Sequence, residues 1–232
     1  MMAGLMYKNF LLYRAELAVI GVLQLFISAT VFLTGITGTG SPQGTLILYG
    51  CMFLMLGFVE SGLFAPDEKQ TARNFLIATP TGAAGHIGSK YWFLLLIDLG
   101  VLVCCFLTDT VVFALTGDEN TMTGVMLVLV FSVTLIMDAL SLPFIVYFGT
   151  NYGLSVKASV LGVVMLLVLL YALFGDISYF LSNDFMTAVE ALFEDSNVLL
   201  MLGLLPYGSA LLYWLSCRLS VFLFRKGAEN YD

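Results

Sequence analysis

The chain has 232 residues, 60% of them hydrophobic and 11% charged, with a formal net charge of −7. A soluble domain carries about 25% charged residues, so this composition excludes a soluble catalytic domain and points to helices that cross a bilayer. The net charge by itself neither invites nor excludes nucleic acid, because the charge is split between the two sides of the membrane; no nucleic-acid partner is expected.

Taken in chain order, the first element is amphipathic. Residues 2–16 place Leu5, Phe10, Leu12 and Tyr13 among Lys8, Arg14 and Glu16, which predicts an interfacial helix lying at the inner membrane surface. Six apolar stretches follow, at about 17–38, 45–64, 91–116, 122–148, 158–175 and 198–224. Each approaches the roughly 20 residues that a helical span needs, and lipid leaves the backbone no option but helix. The first is too long for a signal-peptide core and lacks a small-x-small cleavage site, so it reads as an uncleaved anchor. Between the fifth and sixth spans, Leu181, Phe185, Val189 and Leu192 recur at helical spacing and predict a second interfacial helix on the outside. The whole reads as a single domain.

The bases fix the orientation. Lys8, Arg14, Lys69, Arg73, Lys90, Lys157, Arg218, Arg225 and Lys226 are all the Lys and Arg of the chain, and six crossings put every one of them on the same side. That asymmetry is the positive-inside bias and predicts that both termini are cytoplasmic. The outer segments carry acids alone: Asp118, Glu119, Asp176, Asp184, Glu190, Glu194 and Asp195. An acidic outer face could draw out a cationic cargo, or it could merely record the exclusion of bases.

Several chemistries are missing. No Gly-Lys dipeptide occurs, so there is no Walker phosphate loop. His86 is the only histidine, which rules out a two-histidine zinc site; it is expected in a glycine-rich inner loop. Cys51, Cys104, Cys105 and Cys217 lie in apolar stretches at no metal-like spacing. No catalytic or metal-binding residue is expected.

Within the spans stand Asp98, Asp109 and Asp138, with Glu60 near the inner end of the second. An acid near a helix centre costs about 2.5–3.5 kcal/mol by insertion scales. With every base assigned to a loop, no Lys or Arg is expected inside a span to pair with them. Each must be protonated, face water or bond across a helix interface. Asp98 and Asp109 return to nearly one helix face about 16 Å apart, and Asp138 precedes Pro143, which frees a carbonyl and kinks the span. Two readings stand side by side. The three aspartates border a translocation path, or they bond between helices in the bundle interior.

The inner segment 65–90 carries the most specific pattern. Asp67, Glu68 and Lys69 start a short helix with acids at its N-terminus, Phe75, Leu76 and Ile77 give it an apolar side, and Pro80 stops it. Glycines then turn the chain back toward Ser89, Lys90 and Tyr91, which anchor the third span at the interface. These three groups, with Gly4, Leu5, Tyr7, Lys8 and Phe10 at the start, resemble a bacterial ABC transporter permease of the type-2 export class, in a short six-span form. Asn9 stands where the family has Asp, and Ala83 where many members have Arg.

The resemblance implies an all-α membrane protein with six spans, an N-terminal elbow helix, a cytoplasmic coupling helix and short extracellular helices. It implies that Asp67, Glu68, Lys69, Arg73 and Phe75 contact a separate ATPase subunit, present in two copies, which would bind ATP and Mg; this chain would hold no cofactor and would not be an enzyme. It implies a second permease copy, a homodimer by expectation, in the bacterial cell membrane. The cargo expected by likeness is an amphipathic or cationic peptide, a lipid or a hydrophobic drug. The alternative is a proton-coupled secondary carrier with Asp98, Asp109 and Asp138 as its relay, or a scaffold that transports nothing.

Overall fold

The computed structural model describes residues 2–38, 42–57, 59–68, 82–117, 121–174 and 196–229. All regular elements among them are helical: α1 (Met2–Leu12), α2 (Arg14–Ile36), α3 (Pro42–Leu56), α4 (Val59–Phe64), a 3-10 turn (Ala65–Glu68), α5 (Gly82–Thr116), α6 (Thr121–Phe148), α7 (Thr150–Phe174) and α8 (Ser196–Glu229). Among the described residues, five segments are long and apolar enough to cross a bilayer: Arg14–Ile36, Ile47–Phe64, Gly82–Thr116, Gly124–Phe148 and Leu200–Lys226. The helix α7, 25 residues long, measures about 37 Å at 1.5 Å per residue.

The bundle is organised around α6, which packs against α8, α7 and α3, while α5 packs against α2, α8 and α1. Tyr49, Met52, Phe53, Leu127, Leu135 and Leu142 fill its centre. Its outside is apolar too: Leu25 is 72% exposed, Phe26 70% and Met201 72%. In water so large an apolar surface would drive association; in hydrocarbon it is the ordinary outer face of a multi-pass membrane protein.

Small residues allow the closest approaches. A Cβ on Gly153 of α7 would stand 1.9 Å from Ile145 Cγ1 of α6, and one on Gly35 of α2 would stand 2.7 Å from Val112 Cγ1 of α5. Close backbone contact through glycine is a main source of cohesion between helices in lipid.

Three sequence expectations are corrected. The inner loop expected at 149–157 is a single turn residue, Gly149, with φ 99°, and residues 150–157 are the first two turns of α7. Here the short connection forces the helices together, and Gly153 lets them touch. The glycine-rich stretch expected to be a loop before the third span is the start of α5, which begins at Gly82. His86 is therefore helical and buried, its ring 6.5 Å from that of Phe224. Packing against α8 outweighs the roughly 1 kcal/mol that each helical glycine costs. Finally, Lys90 and Tyr91 are not interfacial anchors but buried residues.

Near the N-terminus, Tyr13 separates α1 from α2. On α1, Tyr7, Phe10, Leu11 and Leu12 are exposed. The second apolar stretch is also divided: α3 ends at Leu56, and the Gly57 N–H bonds back to the Leu54 carbonyl at 3.2 Å before α4 begins.

Candidate functional site

One end of the bundle can be recognised by its ties. The Tyr13 hydroxyl, at the start of α2, donates to the Gly62 carbonyl at 2.8 Å. Lys90 Nζ, on α5, donates to the Leu63 carbonyl at 2.5 Å and lies 4.6 Å from the Phe64 ring centroid. Gly62 and Leu63 close α4, where carbonyls have no partner within the helix; two neighbouring elements supply one each. Because this end gathers Arg14, Lys90 and the end of α8, we call it the basic end.

Next to these ties lies a buried ionic cluster, with Glu60 less than one turn before Gly62 and Leu63 on α4. Lys157 of α7 is buried, and its ammonium forms an ion pair with Glu60 Oε1 of α4 and a second, at 2.8 Å, with Asp138 Oδ1 of α6. It also donates to the Gly57 carbonyl at 3.4 Å. Ser141, one turn along α6 from Asp138, donates to Glu60 Oε2 at 2.9 Å. Asp98 of α5 is 3% exposed, has Asp138 and Lys157 as its charged neighbours, and leaves Oδ2 without a hydrogen bond among the described residues.

The cluster corrects the expectation that no base enters a span. Lys157 is eight residues into α7 and buried, so it is the internal partner of Glu60 and Asp138. Burying an ion pair is costly in itself, and removing one member costs about 3–5 kcal/mol because the other is left uncompensated. The signal was present in the sequence. No proline interrupts residues 144–174, and a continuous helix from Thr150 places Lys157 within reach of acids on neighbouring helices. Assigning each base to a loop hid it.

Against the cluster stands a hydroxyl layer. The Tyr213 hydroxyl of α8 donates to the Tyr91 carbonyl at 2.8 Å, and the Tyr91 hydroxyl shares hydrogen bonds with Ser216 at 2.9 Å and Ser220 at 2.6 Å. The two tyrosine rings lie 5.1 Å apart. This layer joins α5 to α8 and has no charged member.

Asp109 is not part of the cluster. Further along α5, its Oδ1 accepts from the Tyr49 hydroxyl of α3 at 2.7 Å. Near it Gln24 of α2 donates to Ser28 at 3.2 Å and to Cys105 Sγ at 3.6 Å, and Thr108 donates to Ser28 at 3.0 Å. Of the three candidate path residues, then, Asp98 and Asp138 come together and Asp109 is apart.

Among the candidate docking residues, Asp67 and Glu68 belong to the 3-10 turn (Ala65–Glu68), while Lys69, Arg73 and Phe75 lie outside the described residues. So does the amphipathic stretch expected at 181–194, and with it the outer acids Asp176, Asp184, Glu190, Glu194 and Asp195; Asp118 and Glu119 are likewise outside. Among the described residues, no group of His, Cys, Asp and Glu is arranged to hold a metal ion.

An apolar helical bundle with a charged centre and a short, heavily tied helix at its basic end defines a polytopic membrane protein. The chain belongs to the ABC-2 family of transporter proteins, whose model matches residues 4–225. Permeases of this family are membrane subunits that work with an ATPase subunit. No curated protein and no solved structure matches the chain.

Proposed function

We propose that this chain is the membrane subunit of an ATP-driven exporter that moves an amphipathic or cationic peptide, a lipid or a hydrophobic drug outward. The observation that carries the reading is the family match over residues 4–225. The distribution of bases supports an orientation with the basic end and both termini in the cytoplasm of a bacterial cell membrane. Under this reading α7 is the fifth of six crossings in chain order, since its length exceeds the roughly 30 Å of hydrocarbon, and α1 is the elbow helix.

The segment from Ala65 into the residues that follow is the docking element. Asp67, Glu68, Lys69, Arg73 and Phe75 contact the ATPase, two copies of which bind ATP and Mg beneath two copies of this chain. Six helices enclose little room for a large cargo, so the cargo passes between the two copies. Asp98 and Asp138 sit beside that route in the cytoplasmic half, and the separate position of Asp109 argues against a single proton relay through all three.

The reading is tested by purifying the tagged chain from its native membrane. It expects a Walker-motif ATPase to co-purify, and expects that association to be lost with Asp67→Ala, Glu68→Ala and Phe75→Ala combined. Purified chain alone moving a cationic peptide down a pH gradient would overturn it in favour of the secondary carrier. Full transport by a well-folded Asp138→Asn variant would remove Asp138 from the route.

A further inference from the structure

The basic-end part of the second apolar stretch is a small unit with its own connections. The helix α4 has six residues, spans about 9 Å, and runs straight into the 3-10 turn that carries Asp67 and Glu68. It is separated from α3 at Gly57, and its bonds go to four other elements. Tyr13 and Lys90 hold its closing carbonyls. Ser141 and Lys157 hold Glu60, on its first turn.

We propose that α4 and the 3-10 turn form a lever between the docking segment and the spans, and that Lys157 is the positioning residue through which this lever moves α7. The inference rests on the reading of the segment after Ala65 as the ATPase contact. Three observations converge on it. Gly57 gives the lever its pivot, and a side chain there would crowd the bridge: a Cβ at Gly57 would lie 3.1 Å from Lys157 Nζ, so the ammonium that reaches the Gly57 carbonyl would have to give by a few tenths of an ångström. Lys157 bridges Glu60 on the lever and Asp138 on α6, so a displacement of α4 must either carry α7 along or break the Glu60–Lys157 ion pair in an apolar interior. And α6 and α7 are joined through Gly149 alone and interlocked at Gly153 and Ile145, so they shift as one body. The lever thus drives a hairpin rather than a single helix.

The test uses the complex of this chain with its ATPase in lipid nanodiscs. Phe174→Cys, at the far end of α7 where Phe174 is 85% exposed, is introduced with Cys51, Cys104, Cys105 and Cys217 replaced by alanine, and is labelled with a membrane-impermeant maleimide before and after trapping ADP with vanadate. The parent is expected to change its labelling rate severalfold on trapping. Lys157→Met, measured on the folded complex isolated with its ATPase bound, is expected to cut that change at least fivefold. Exchanging the charges (Glu60→Lys with Lys157→Glu) is expected to recover more than half of the response, which a merely space-filling role would not do.

A full response in Lys157→Met overturns the lever. So does a charge exchange that keeps the unfolding midpoint and the co-purified ATPase of the parent yet gives no larger response than the single variants. If the parent retains no ATPase, the export reading falls and the lever with it; if the parent retains it and Lys157→Met responds in full, the lever alone falls.

Discussion

The two ends of this bundle solve the problem of polar groups in lipid differently. Toward the basic end, Glu60, Asp138 and Lys157 are buried in full ionic contact, with Asp98 beside them. Toward the other end, Tyr49, Gln24, Ser28, Thr108 and Asp109 are joined by hydrogen bonds with no ion pair among them. An ion pair inside a protein is strong in geometry but expensive to desolvate, whereas hydrogen bonds between membrane helices average about 0.6 kcal/mol. The first arrangement therefore tolerates few intermediate states: it is made or broken. The second can give way bond by bond. Under the proposed lever, this division holds register at the end where force would enter and leaves the other end free to adapt.

Substitutions can break or sharpen that contrast. The largest effect is expected from Lys157→Met, which strands Glu60 and Asp138; it should destabilise the folded chain by about 3–5 kcal/mol, seen as a lower thermal unfolding midpoint in detergent. Gly153→Leu comes next. It forces a side chain into Ile145, and overpacking of that kind costs about 1–3 kcal/mol; the same unfolding measurement applies, and Gly153→Ala should be milder. Tyr49→Phe removes the one donor that Asp109 has among the described residues and should cost about 1 kcal/mol. The smallest effect is expected from Thr108→Val, at about 0.5 kcal/mol. If Tyr49→Phe proved as damaging as Lys157→Met, the division between an ionic end and a hydrogen-bonded end would not hold.

The sequence announces the bundle itself clearly. Long apolar runs can only be helices in lipid, and among the described residues five of them are helices long enough to cross. What it concealed came from long-range packing. The stretch with Gly82, Gly85 and Gly88 looks like a turn, yet only Gly82 has a positive φ, 58°; the remainder is helical because His86 and Tyr91 have α8 to pack against. Lys157 looked like a loop marker, because its partners lie 97 and 19 residues away. The division of the second span at Gly57 has no proline to flag it. Asp98 and Asp138 stand out in the sequence as acids inside spans, but their grouping with Glu60, and the separation of Asp109, depend on helix rotations that periodicity alone does not settle.

The single-residue connection at Gly149 has a consequence for how the protein is made. Asp138 and Lys157 sit on the two arms of one hairpin and bond at 2.8 Å. Entering the bilayer separately, each would carry a penalty of about 2.5–3.5 kcal/mol. A translocon that releases both arms together hands the lipid a pair already neutralised, so biogenesis of this region should proceed by hairpins rather than helix by helix.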